Sequence, residues 1–468
     1  MKQPLPLSRT VQRCNARGLT AARRPPAAVV CLLLALLLFA FRLPVAAQAP
    51  VWQSARAVAA ATAATSTTFS QVTATAVDAA GNVYLAGYFR NAVVLGGSTL
   101  TSSGSNDVFV AKFNPVSNQF VWAQRAGGTG DSKATALAVN GTSVYVVGGF
   151  NSTLADFGPA TLTNSGSDAS VFVAKLTDTG NTGSFVWAQR ASGTLRSFAS
   201  AVAVSGTSVY VAGHFDSPAM SFGPVTLTKG ANSDPAAYNV FVAKLTDAGS
   251  TGSFAWAQQA SGTGYGFDQP TVLATSGTAV YVAGIITSAT VGFGPTTLTK
   301  AGPAGIPDGF VAKLTDAGST GSFVWAQRVG GTGDDYVYAL AISGTSVHIA
   351  GYFDSSTAGF GSIILPNPAP GYPVGFLASF TDNILTATTA ASPREAAHLY
   401  PNPARHTATL HLPTGTAPAP LTLTNAQGRA VRQYPAPAGP EAVLDLRGLP
   451  AGLYLLRGTG PSQRLAVE

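Results

Sequence analysis

The stretch Val-Trp-Ala-Gln-Arg-Val-Gly-Gly-Thr-Gly-Asp-Asp occupies residues 324–335, and its opening recurs along the chain. All five tryptophans, Trp52, Trp122, Trp187, Trp256 and Trp325, sit in this strand-like motif at spacings of 70, 65, 69 and 69 residues. A second anchor, Val-Tyr-Val-Ala-Gly or a near relative, centres on Tyr84, Tyr145, Tyr210, Tyr281 and His348. A third, Val-Phe-Val-Ala-Lys, centres on Phe109, Phe172, Phe241 and Phe310, with Phe376 in a diverged copy. An apolar run precedes each second anchor, at 75–77, 136–139, 201–204, 272–275 and 340–343. Self-similarity at a fixed period identifies one supersecondary unit used repeatedly.

Each unit supplies four short strands bounded by Gly, Ser, Asn and Asp. They are called first to fourth in chain order: Ala-Val-Ala-Val, Val-Tyr-Val-Ala-Gly, Val-Phe-Val-Ala-Lys and Val-Trp-Ala-Gln. Four strands in a unit of this length fit one blade of a β-propeller. The repeat region opens with a lone fourth strand at Trp52. Four complete units follow, and the region ends on the first three strands of a fifth, near Phe380. The lone strand and the incomplete unit are complementary. Pairing them closes a ring and removes a free sheet edge. An open solenoid would instead need polar caps at its ends. The expected fold class is all-β: a five-bladed β-propeller over 48–380, closed by the N-terminal strand, followed by a small Ig-like β-sandwich. The recurring aromatics are read as packing between blades, which cover both faces of each sheet.

Three runs carry a family resemblance: Gly-Asn-Val-Tyr-Leu-Ala-Gly at 81–87, Val-Phe-Val-Ala-Lys-Leu at 171–176 and 240–245, and the stretch at 324–335. They resemble the bacterial SBBP-type β-propeller repeat, over roughly residues 52–380. The resemblance implies an architecture and almost no chemistry.

Composition agrees with short strands and turns. The chain is 46% hydrophobic and only 10% charged, with 51 Gly and 30 Pro among 468 residues. Its net charge of +7 is local: seven basic residues and no acid lie in the first 42 positions, leaving 20 basic against 20 acidic side chains elsewhere. That balance argues against a nucleic-acid partner. Both cysteines, Cys14 and Cys31, lie in the same leader. The leader runs from a basic stretch into an apolar run over Ala27–Phe41 and small residues at Val45-Ala46-Ala47, the layout of a secretory signal peptide over 1–47. An apolar run of 15 residues is short for a membrane anchor. The mature chain is expected to have no membrane span, no thiol and no disulfide.

Residues 381–397 form a Thr/Ala-rich linker, and composition then changes: 398–468 hold no Trp, Phe or Lys but six Arg and ten Pro. Alternating runs at 408–412, 421–424, 430–434, 443–446, 453–457 and 464–467 predict a small antiparallel sandwich. This segment closely resembles the type A C-terminal sorting domain of the bacterial type IX secretion system. The matching residues are Leu399-Tyr400-Pro401-Asn402-Pro403-Ala404, the turn with Gly428, and Leu449-Pro450-Ala451-Gly452-Leu453-Tyr454. The acidic Glu468 departs from the basic or amide end commoner in that family. The resemblance implies the type IX machinery as a partner, passage across both membranes, removal of the domain, and release or attachment at the outer cell surface.

No catalytic set stands out. The propeller and linker hold 16 Asp, and their only Glu is Glu395. Asp178, Asp247 and Asp316 recur in the same Leu-Thr-Asp loop, as turn formers do and a single catalytic site does not. His214 and His348 are scattered, without metal-ligand spacing. No phosphate-cradling loop is present. Neither a cofactor nor a metal is expected. The connections from second to third strand are long and variable, and share one face with those from fourth to first, where binding is expected. The candidate ligand-binding residues on that face are Asp131, Arg196, Tyr265, Asp268, Asp334 and Asp335. The expected function is a monomeric, non-catalytic binding or adhesion propeller with a glycan or surface-protein ligand. A carbohydrate-active hydrolase or lyase on the same scaffold and a passive structural surface protein are the alternatives.

Overall fold

A computed structural model of the chain describes residues 55–60, 68–164, 166, 168–230, 233–382, 398–412, 420–425, 429–439, 441–458 and 460–468. Trp52, the leader, Gly428 and most of the 381–397 stretch lie outside the described residues. The described residues are all-β, in antiparallel sheets, and include no helix long and apolar enough to cross a membrane.

In the first unit the four strands are Phe69–Val77, Val83–Arg90, Asp107–Asn114 and Gln119–Gly128, each hydrogen-bonded to the next. The second, third and fourth units repeat this order. The third strands are buried on both faces, as in Ser170–Asp178 and Asn239–Asp247, because neighbouring sheets cover them. First strands start several residues earlier than their hydropathy suggests. A bulge interrupts each of them, at Val72/Ala74, Ala134/Ala136, Ala199/Ala201 and Pro270/Val272, and breaks the alternation.

The bulged residue has a purpose. Its hydroxyl points to the next sheet and donates to a main-chain carbonyl there: Thr73 to Ala134 (2.8 Å), Thr135 to Ala199 (2.7 Å), Ser200 to Pro270 (2.6 Å) and Thr271 to Val337 (2.5 Å). In the fifth unit the same position is Tyr338, which is 54% exposed.

A second link joins the sheets through the Leu-Thr-Asp loops. Asp178 forms an Asx turn with the Gly180 N–H (2.9 Å). The same carboxylate accepts from three side chains of the preceding sheet: Tyr84 (2.6 Å), Lys112 (2.6 Å) and the Trp122 indole (3.0 Å). Asp247 repeats this with Tyr145, Lys175 and Trp187, and Asp316 with Tyr210, Lys244 and Trp256. Asp382 accepts from Tyr281 and Lys313. Each indole lies across a glycine of the next sheet. A Cβ at Gly183 would stand 2.7 Å from Trp122, so only glycine fits there.

The long connections from second to third strand are not free rim loops. Each carries a hairpin, such as Leu154–Phe157 with Ala160–Thr163. That hairpin hydrogen-bonds to the fourth strand of the preceding unit, with Ala155 opposite Gly128. Four six-stranded sheets result. Phe157 is fully buried, edge-on to Phe185 and packed on Phe172 of its own unit, and Phe222 and Phe293 repeat this. Each hairpin thus bonds to one sheet and packs on the next.

The ends differ. Ala59–Ala60 pairs with the first hairpin as fourth strands pair with the others. The fifth sheet has three described strands, Asp335–Ser343, Ser346–Phe353 and Val374–Thr381. Leu377 in its third strand is 73% exposed, whereas the equivalent Val110, Val173, Val242 and Val311 are buried. Beside it lies an apolar groove of about 180 Å³ lined by Val329, Ile349, Phe360, Leu365 and Phe380.

The C-terminal segment forms two sheets. One contains His398–Tyr400, Thr407–His411 and Glu441–Asp445. The other contains Leu421–Thr424, Ala430–Tyr434, Gly452–Gly458 and Gly460–Val467. They share a core that includes Leu410, Leu423, Leu444, Leu456 and Leu465.

Candidate binding site

Function belongs where repeats disagree, because positions that maintain the scaffold are needed in every unit. Two facing positions near the start of the first strand and the end of the second vary most. The pairs are Gln71/Tyr88, Lys133/Gly149, Phe198/His214, Gln269/Ile285 and Tyr336/Tyr352. The residues beside them, such as Phe89, Phe150 and Phe215, recur and are buried.

These positions form a band of aromatic and charged side chains. In the first and second sheets Phe69 meets Tyr88 edge-on, the Arg90 guanidinium lies 5.7 Å from the Phe69 ring, and the Lys133 ammonium lies 5.2 Å from Tyr88. In the third, Phe198 lies against His214, which stacks on Tyr238 at 4.8 Å. Tyr238 meets Phe267, and Phe267 meets the exposed Tyr265. Burial pushes the His214 imidazole down to about 4, with Arg196 adding to the effect, so the ring is neutral at pH 7. In the fifth sheet Tyr336 stacks on both Tyr338 and Tyr352.

Of the six residues singled out from sequence, Asp131 and Arg196 line one pocket between the second and third sheets, with Lys133, Gly149, Asp168 and Phe198. Burial acts to raise the Asp131 carboxyl, but hydrogen bonds from Ser105 and Asn106 and the charges of Lys133 and Arg90 leave it below its ordinary value. Arg196 pairs with Asp168 at 3.4 Å and reaches the Tyr238 hydroxyl. Tyr265 continues the same band. Asp334 is tied to the loop of Asp354, whose carboxylate accepts its N–H at 2.6 Å.

Asp268 and Asp335 are different. Both are fully buried and serve the backbone: Asp268 accepts from the Thr287 and Ser288 N–H groups, and Asp335 from the Gly331 N–H and the Ser355 hydroxyl. Neither presents a carboxylate to solvent. Lys133, Asp168, Phe198 and Tyr238 were not singled out in the sequence, and His214 was weighed only as a metal ligand, although divergence between aligned units was there to find them. Among the described residues no group of three or more His, Cys, Asp or Glu is placed to hold a metal.

The C-terminal sandwich has its own functional geometry. Asn402, between Pro401 and Pro403, donates to the Arg464 carbonyl (2.7 Å) and accepts from the Ala466 N–H (2.9 Å). This docks the entry motif on the closing strand. Tyr400 is 71% exposed beside it. Tyr454 is buried and donates to the Pro450 carbonyl, joining the last turn to the strand that opens at Gly452. Residues 398–465 match the secretion system C-terminal sorting domain. The sorting domain marks the chain for type IX secretion, and hence for the secretion machinery and a secreted or cell-surface location. No curated protein matches the chain.

Proposed function

We propose that the repeat region is an SBBP-type, five-bladed β-propeller, closed by the strand around Trp52. Displayed outside the cell as a monomer, it is a non-catalytic binding module for a glycan or a surface protein. The observation that carries the binding role is the diverged band itself. Aromatic and charged side chains replace one another there, while the buried positions beside them, such as Phe89, Phe150, Phe215 and Phe353, largely recur. A passive structural protein has no use for that divergence.

Three features support closure. The fifth sheet leaves a third-strand edge and an apolar groove where the other sheets carry a fourth strand. The sequence holds one fourth strand, at Trp52, beyond the four already placed. Its continuation, Ala59–Ala60, bonds to a hairpin in the way fourth strands do.

The binding role is tested with the chain as it is secreted, pulled down on extracellular polysaccharides and on whole cells, with released reducing ends assayed in parallel. Saturable retention without new reducing ends is expected. Release of reducing ends would establish the hydrolase or lyase instead, and no retention on either material would leave only the structural role.

A further inference from the structure

We infer that the pocket between the second and third sheets is a subsite for one neutral sugar ring. It would lie against Phe198, with its hydroxyls on Asp131, Asp168, Lys133 and Arg196. This rests on the binding role proposed above and names its ligand class and place.

One residue lets the Phe198 ring lie where it lines the pocket. Where the second strand ends, the other units carry Tyr88, His214, Ile285 and Tyr352, and the second unit carries Gly149. A Cβ at Gly149 would stand 2.4 Å from the Phe198 ring of the next sheet, so any side chain there would displace it. The cavity, of about 260 Å³, is below the range typical of drug-sized ligands and suits a single ring.

The lining charges balance. Lys133 stands 3.7 Å from Asp131, and Arg196 stands 3.4 Å from Asp168. An anion or a cation would meet its own sign beside its partner. A hydroxyl suits such a wall, because it donates to the carboxylates and accepts from the cations, in charge-assisted bonds. The groups are also set in advance. The Asp131 carboxylate is oriented by the Ser105 hydroxyl (2.5 Å) and the Asn106 amide (2.7 Å), so little ordering remains when a ligand arrives. Phe198 supplies an aromatic ring, whose negative face attracts the C–H bonds of a pyranose.

The test uses the chain as it is secreted and saturation-transfer NMR. The probes are the methyl glycosides of glucose, galactose, mannose and N-acetylglucosamine, with glucuronate and inorganic phosphate as anionic arms. At least one neutral glycoside should show transfer to its ring protons. Its affinity should fall more than tenfold in Arg196→Met and in Phe198→Leu, both with unchanged urea midpoints. Gly149→Ala, which displaces the Phe198 ring, should abolish the signal. Preferential binding of glucuronate or phosphate would overturn the neutral-sugar assignment. Polysaccharide retention that survives all three substitutions would overturn this site and leave the propeller's binding role standing. Loss of retention by the unmodified chain would overturn both.

Discussion

Asp247 shows how much one recurring residue can do. Its first carboxylate oxygen takes the Trp187 indole and a turn N–H, and its second takes Lys175 and Tyr145. Lys175 is 7% exposed at its side chain, so its charge depends on that partner. Burial acts to raise this carboxyl. The hydrogen bonds from Lys175, Tyr145, Trp187 and Gly249 prevail and hold it below its ordinary value. Its stabilising effect is therefore present above about pH 4 and is lost as pH falls through the folded value. Asp247→Ala should cost about 3–5 kcal/mol, read from the urea midpoint, because it strands a buried ammonium. A shift below about 1 kcal/mol would reduce the clamp to a surface-grade ion pair. Asp335 has the opposite sign. Burial pushes it up to about 7, against its bonds from Gly331 and Ser355, with Asp308 and Asp354 adding repulsion. The native state then holds a proton that the unfolded chain releases, so stability falls as pH rises from about 4 to about 7. Urea midpoints across that range should show a shallower slope in Asp335→Asn; equal slopes would place the burden on other groups.

The hairpins and the last strand set the behaviour of whole elements. Each hairpin covers the outer edge of the preceding sheet, which would otherwise offer unpaired N–H and C=O groups to another chain. The fifth sheet is where the scheme changes. His348 replaces the clamp tyrosine and bonds to Ser379, which replaces the lysine. The first unit carries Asn114-Pro115 where later loops carry Thr-Asp, and Tyr338 replaces the hydroxyl link. Both halves of the clamp are therefore missing together at the proposed closing junction, which must rely on strand pairing and the apolar groove. The register of the other sheets makes this testable. Val110, Val173, Val242 and Val311 each face the Gln two residues after a tryptophan. By the same register Leu377 should face Ser54. Ser54→Cys with Leu377→Cys should give a disulfide within one chain, seen as faster migration without reductant. A disulfide-linked dimer would mean that a second copy supplies the strand, and no cross-link would remove closure by this register.

At the scale of the whole molecule, the repeat sheets and the domain that directs export are separate pieces of structure. The sorting domain has its own core of leucines, with the Asn402 motif fastened to its last strand. The core and the Asn402 bonds run within residues 398–468 and use no side chain of the repeat sheets. A chain ending at Ala397 should therefore fold its repeat sheets but remain in the periplasm. Cell fractionation with an antibody to the repeat region reads this directly. Appearance of the truncated chain outside the cell would show that export does not need the domain.

Much of this was legible in residue order. Repeats of Trp-Ala-Gln, Val-Tyr-Val-Ala-Gly and Val-Phe-Val-Ala-Lys predicted which segments pair within a unit, because strand alternation and turn residues are local properties. The Pro401-Asn402-Pro403 motif marked the sorting domain for the same reason: its bonds run within one small sandwich. Three things were not legible. The hairpin of one unit completes the sheet of another, a choice made by edge hydrogen bonds that no local pattern encodes. Asp178, Asp247 and Asp316 looked like turn formers and are, yet their second lone pairs reach a neighbouring sheet. Asp268 and Asp335 read as ligands because they fall in the connections from fourth to first strand, but their side chains are buried against backbone N–H groups. Sequence by itself determined the strands, their order and the export signal, all of which depend on near neighbours along the chain. Only the tertiary structure decided which side chains share a pocket, because Gly149, Asp168 and Phe198 meet through the packing of two sheets.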